Sequence, residues 1–150
     1  MKNLLFVIFL TVTGLSVTAQ AGEPINWSFT ANKIDARTYE IHLTAMVESG
    51  WHIYSQTTPK GGPVPTSITF KKNPLITIEG ITKELGKLQQ RYEPLFGVEV
   101  KQFADKVDFV QKIKLNATVK TTLNGIIEFM SCNEEMCLPP AEKKFSITLQ

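Results

Sequence analysis

The chain is poor in the residues that announce most chemistries. Its 150 residues hold two cysteines, two histidines, two tryptophans and four methionines, and the formal charge is only +2. Two cysteines cannot build a multi-disulfide scaffold or a four-cysteine zinc site. Near-neutrality leaves no basic face of the size nucleic acid requires, so a nucleic-acid partner is not expected. No run beyond residue 21 approaches the ~18 apolar residues of a membrane span, no stretch keeps a helical period, and no internal repeat or low-complexity tract interrupts the chain. Hydrophobic, aromatic and charged fractions are those of an ordinary globular domain.

The amino terminus carries Lys2, an apolar stretch from Leu4 to Val17, and Ala19-Gln20-Ala21. A positive start, an apolar core and a small-x-small ending make a secretory signal peptide, so residues 1–21 are expected to be removed and 22–150 to form one exported domain. Ala19 is an alternative cleavage point, and a membrane anchor is the competing reading. Export sets the redox context: the cysteines work where disulfides persist.

Period-two alternation dominates the rest. Tyr39, Ile41, Leu43, Ala45 and Val47 alternate with Glu40, His42 and Thr44; Val107, Phe109, Ile113 and Leu115 oppose Asp108, Lys112 and Lys114; Phe145, Ile147 and Leu149 continue the theme. Such segments are strands with one wet face. Shorter candidates are Trp27–Ala31, Trp51–Tyr54, Ser67–Phe70 and Leu75–Glu79. Asn124-Gly125 between strand-like runs predicts a hairpin turn, with a returning strand from Ile126 to Ser131. About eight short strands broken by turns predict an all-β, immunoglobulin-like antiparallel β-sandwich. The irregular stretches Gln56–Thr66 and Gln89–Gln102 are candidate functional loops. Of the histidines, His42 reads as solvated on a polar face, whereas His52 shares a strand face with Tyr54.

Cys132 and Cys137 carry the chemistry. Four residues separate them directly after a strand-like run. A tight loop would set the two across a strand pair, within disulfide range. Closing about six residues removes only ~2 kcal/mol of unfolded-chain entropy, too little for a strong structural staple. A bond that opens without unfolding its domain suits redox exchange. Pro139 and Pro140 cannot continue a ladder and keep the segment after Cys137 at an edge. Glu134 and Glu135 disfavour a thiolate, so this is not the electropositive setting of a lone cysteine nucleophile. Two other readings stand beside exchange: a Cu(I) site of Met130, Cys132, Met136 and Cys137, all soft sulfur donors, and a ligand-binding sandwich with an inert disulfide.

The segment Cys132–Pro140, with its C-x4-C-L-P-P ending, resembles the N-terminal periplasmic domain of the DsbD-type thiol:disulfide interchange proteins, a family also called disulfide bond corrector. Ser49-Gly50-Trp51-His52-Ile53-Tyr54 is similar to that family's strand beneath the active site, and Tyr92-Glu93-Pro94-Leu95-Phe96-Gly97 to its cap loop. The resemblance covers roughly Trp27 to Leu149. It implies a protein-disulfide reductase component that needs no cofactor and relays reducing equivalents to periplasmic thioredoxin-fold proteins. Cys137 would form the mixed disulfide and Cys132 resolve it, with Leu95 and Phe96 capping the sulfurs and Tyr54 and Glu93 lining the site. A membrane electron-transfer protein supplied by another chain would provide the electrons.

Overall fold

The structure, a computed structural model, describes residues 23–150. The expected signal peptide lies outside the described residues. Nine strands and no helix make up the described chain: β1 (Ile25–Lys33), β2 (Thr38–Val47), β3 (His52–Tyr54), β4 (Ser67–Phe70), β5 (Ile76–Glu93), β6 (Val98–Leu115), β7 (Thr121–Phe129), β8 (Ser131–Cys132) and β9 (Ala141–Leu149). They form two antiparallel sheets, one of six strands in the order β1-β2-β6-β3-β8 with β5 also paired to β6, and one of three in the order β4-β7-β9. The fold is the immunoglobulin-like β-sandwich that the alternation predicts. Ile41, Leu43, Ala45, Phe109 and Ile113 of the larger sheet face Leu123, Ile127, Phe145 and Leu149 of the smaller, all buried in one core. Trp27 joins them, its ring 5.3 Å from that of Phe129 and 6.0 Å from that of Phe109.

β6 organises the larger sheet. Along one edge it pairs with β5, while its other edge is divided: Lys106–Lys114 take β2, and Gln102 and Phe103 take β3. The division falls at Asp105, whose φ of 64° puts it in the left-handed region that Asp tolerates better than most residues. Opposite it, β5 shifts register between Gly86 and Leu88. A side chain at Gly86 would bring Cβ to 2.9 Å from the Lys106 carbonyl oxygen, so the double irregularity requires glycine there. The divided edge makes room for β3, and β3 in turn carries β8 and its cysteine.

Three expectations change. Asn124-Gly125 is no turn: β7 runs straight through it, and Gly125 pairs with Phe70 on one side and Phe145 on the other. Glycine is needed for space, because a Cβ would lie 2.2 Å from the Phe145 ring and 2.6 Å from the Thr69 carbonyl oxygen. Gln89–Gln102 is not an irregular loop but the end of the β5–β6 hairpin, folded back at Pro94–Gly97. Its side chains are largely exposed on β5, so no alternation betrays it. His42 is not simply solvated. Its Nδ1 lies 2.7 Å from Asp108 Oδ2, across the β2–β6 ladder, and its Nε2 is 3.1 Å from Asn32 Nδ2.

Candidate functional site

Two elements meet at β3. On one side β8 pairs with it, setting Cys132 opposite His52 and Ser131 opposite Ile53. On the other, Ile53 and Tyr54 pair with Phe103 and Gln102 of β6, near the turn that joins β5 to β6. The three β3 residues are buried, so this short strand is the floor on which both the cysteine hairpin and the turn rest.

The hairpin is compact. Asn133 N–H donates to the Met136 carbonyl at 2.9 Å and Leu138 N–H to that of Ser131 at 2.9 Å. These bonds flank Cys132 and Cys137, which therefore face each other as a non-hydrogen-bonded antiparallel pair, the geometry that brings side chains closest. Their Cα atoms lie 4.0 Å apart and the sulfurs are bonded. Asn133 shapes the tip: its Oδ1 accepts from the N–H groups of Glu135, at 2.9 Å, and Met136, at 2.8 Å. Asn133 suits the position because its short side chain replaces a backbone acceptor. Glu134 and Glu135 are left pointing to solvent, and Glu134 pairs with Arg91 of β5 at 3.2 Å.

The two sulfurs sit in unequal surroundings. Cys132 is fully buried, whereas Cys137 is partly exposed, followed by the exposed Pro139 and Pro140. Tyr54, Val100 and Cys132 form a small apolar cluster separate from the sandwich core, with Phe96, Val98, Met130 and Cys137 packed against it. Phe96 thus touches the cystine cluster, while its neighbour Leu95 is half exposed at the turn. The Gln56–Thr66 segment borders the same turn, with Gly62 so close to Val98 that a Cβ would sit 2.6 Å from its methyl carbon.

A polar cluster lies behind this apolar one. Glu93 is buried; its Oε2 accepts the Tyr54 O–H at 3.0 Å and stands 3.3 Å from His52 Nε2, and its Oε1 accepts the Leu95 N–H at 3.4 Å. The Glu93 carbonyl accepts the N–H groups of Phe96, at 3.2 Å, and Gly97, at 2.8 Å. His52 Nε2 is also 3.1 Å from the Tyr54 oxygen. Burial, assisted by the Glu93 charge, pushes the Tyr54 phenol well above its ordinary value, so it is a permanent donor. Burial holds the His52 imidazole below its ordinary value, with Glu93 pulling the other way. Chemically, the arrangement offers a disulfide with one partly exposed cysteine, beside a turn held by the carbonyl and the buried carboxylate of one residue, Glu93.

All the residues named from the sequence as cysteines, cap or lining are thus gathered at one end of the sandwich. His52, Arg91 and Asn133 complete the group. The His52-x-Tyr54 alternation was a signal for the first; nothing local marks Arg91, whose partner is 43 residues away. A cleft of about 50 Å³ lies between the hairpin and the turn, lined by His52, Arg91, Glu93, Leu95, Asn133 and Glu134. Larger grooves of about 430 and 410 Å³, one along Phe70–Pro74 and one beside Gly80, do not reach the cysteines.

Comparison with solved structures finds the same fold. The N-terminal domain of DsbD from Neisseria meningitidis, in its reduced form, is 13% identical with a TM-score of 0.51, over 75% of this chain and 85% of that one. The N-terminal periplasmic domain of ScsB from Proteus mirabilis is 18% identical with a TM-score of 0.57. That match takes in 89% of this chain, which spans about half (49%) of the ScsB chain. The Neisseria DsbD N-terminal domain in complex with the N-terminal domain of PilB is 12% identical with a TM-score of 0.50, over 80% of each chain. No curated protein sequence matches significantly. The family model for the N-terminal part of the thiol:disulfide interchange protein DsbD matches residues 17–149, nearly the whole chain. With its cysteine pair joined at the end of an immunoglobulin-like sandwich, this chain belongs to the DsbD N-terminal domain family.

Proposed function

We propose that the chain is an exported, periplasmic thiol:disulfide interchange domain that relays reducing equivalents from a membrane electron carrier, supplied by another chain, to thioredoxin-fold partners. One observation carries the division of labour: Cys132 is fully buried and Cys137 is not. A partner can bond only to a sulfur it can reach, so Cys137 makes the mixed disulfide and Cys132 resolves it. In the reducing direction the Cys137 thiolate attacks the partner's disulfide and expels one partner thiolate. Cys132 then attacks Cys137, reforms the cystine and releases the partner with both sulfurs reduced, two electrons having passed. Glu134 and Glu135 do nothing to acidify the pair, so the attack by Cys137 leans on a partner whose expelled thiol is a good leaving group. The Neisseria relative solved with PilB supports a protein as the partner. The bonded cystine presents no thiolate to a cation, so the Cu(I) reading of Met130, Cys132, Met136 and Cys137 draws no support from it.

The test is a trap. A thioredoxin-fold protein with a single active-site cysteine, activated as a chromogenic mixed disulfide, is offered to reduced Cys132→Ser and Cys137→Ser. Cys132→Ser should release the chromophore and accumulate a covalent adduct through Cys137, and Cys137→Ser should give little. Equal adducts from both variants refute the roles; none from either refutes exchange and returns the copper and inert-disulfide readings.

A further inference from the structure

Glu93 is where the turn over the cystine is fastened. Its carbonyl holds the Phe96 and Gly97 amides and its Oε1 the Leu95 amide, so the described polar bonds anchoring Pro94–Gly97 converge on one residue. The side chain is fastened in its turn to β3, by Tyr54 and by His52. His52 pairs in register with Cys132, and Phe96, carried by the turn, packs on the Cys132 cluster. The imidazole therefore sits where the buried polar contacts of the turn meet the cystine strand, beside the Phe96 packing and the exposed Arg91–Glu134 pair that also link the two. Burying a polar ring there costs free energy unless its N–H is used.

We propose that His52 is a positioning residue for the disulfide exchange: by donating its Nε2 proton to the Glu93–Tyr54 pair, it keeps the turn seated and Phe96 over the sulfurs. The inference rests on the exchange function proposed above but does not require the partner. Tyr54 cannot substitute for His52, since its one proton is already given to Glu93. The charged groups facing the ring are Glu93 and Arg91 of β5 and Glu134 of the cysteine hairpin, with Tyr54 beside it on β3. Because burial depresses the imidazole's affinity for a second proton, protonation favours the state in which the ring is hydrated. Acid therefore unseats the turn, and it does so below the ordinary histidine value of 6.5.

The experiment measures how fast a small phosphine, tris(carboxyethyl)phosphine, reduces the cystine, relative to oxidised glutathione under the same conditions. His52→Phe keeps the bulk and loses the donor; His52→Gln keeps an N–H near the Nε2 position. Loss of one buried hydrogen bond predicts a relative rate raised roughly fivefold in His52→Phe, with His52→Gln close to wild type. The wild-type relative rate should also rise between pH 7.5 and pH 5.5, a trend absent from His52→Gln. Equal acceleration in both variants would mean that ring packing, not the proton, matters, and unchanged rates with a flat wild-type profile would overturn the proposal outright. If His52→Phe does not fold, the wild-type and His52→Gln profiles decide alone. Failure of the partner trap with this phosphine pattern intact would sink the relay and spare the latch; adducts with unchanged phosphine rates would do the reverse.

Discussion

Reduction of the Cys132–Cys137 bond should leave the sandwich folded and cost about 2 kcal/mol of stability. The bond closes a loop of about six residues, the cysteines being five apart in sequence, and on the chain-entropy model that loop restrains the unfolded chain by only ~2 kcal/mol. Little native structure depends on the bond itself. The hairpin keeps its two flanking backbone bonds and both Asn133 turn bonds, and β8 keeps its pairing to β3. Neither sulfur reaches the main core, which is built from other residues. Urea titrations of the oxidised and fully reduced protein, followed by β-sheet circular dichroism, measure the difference. The midpoint should move by about 1–2 M, for slopes of roughly 1–2 kcal/mol/M, while the slope stays constant, since the same surface is exposed on unfolding. A loss above ~4 kcal/mol, or collapse of the sheet signal on reduction at room temperature, would refute the reasoning and mark the bond as a structural staple.

Phe96→Ala should speed alkylation of the reduced thiols severalfold, whereas Leu95→Ala, removing a half-exposed side chain, should change it by less than about twofold. Gly125→Ala should destabilise the fold by ~2–4 kcal/mol in urea, because the Phe145 ring and the Thr69 carbonyl already occupy the space, and an effect under ~1 kcal/mol would contradict that account. Stability attributable to His52 should be complete above pH 6.5 and decline as pH falls, because a group with a lowered folded-state value binds its proton more readily when unfolded. Comparing denaturant midpoints of wild type and His52→Gln from pH 7.5 to 5 isolates it, and parallel profiles would remove His52 as the cause.

What the sequence revealed follows from how locally each element is determined. β2 and β9 alternate because one face of each is core and the other is more open to water, the second half of β6 does so except at Val110 and Gln111, which are both buried, and Ser67–Phe70 is bounded by its own punctuation. The far half of β5 escaped because a hairpin end exposed on both faces imposes no pattern, so only the start of the strand, near Ile76–Glu79, could be read. Asn124-Gly125 misled because the need for glycine arises from a phenyl ring twenty residues away, not from the backbone. The cysteine hairpin was legible because its six residues are nearly self-sufficient. Glu93 and Tyr54 lie 39 residues apart and came through the family resemblance; the His52-x-Tyr54 alternation marks His52 as a neighbour of Tyr54, while its place opposite Cys132 depends on the β3–β8 register, which no local spacing encodes.

The brevity of β3 has an evolutionary consequence. Three consecutive side chains serve the cystine, the turn and the core together: His52 opposite Cys132, Ile53 in the core, Tyr54 under both Phe96 and Glu93. Changes there cannot be compensated one partner at a time. Substitutions at Tyr54 and Phe96, or at His52 and Glu93, should show strong epistasis, whereas either pair should combine additively with changes at remote sites such as Gly125. The sandwich can drift residue by residue; the strand beneath the cystine must change as a block together with the turn and hairpin it supports.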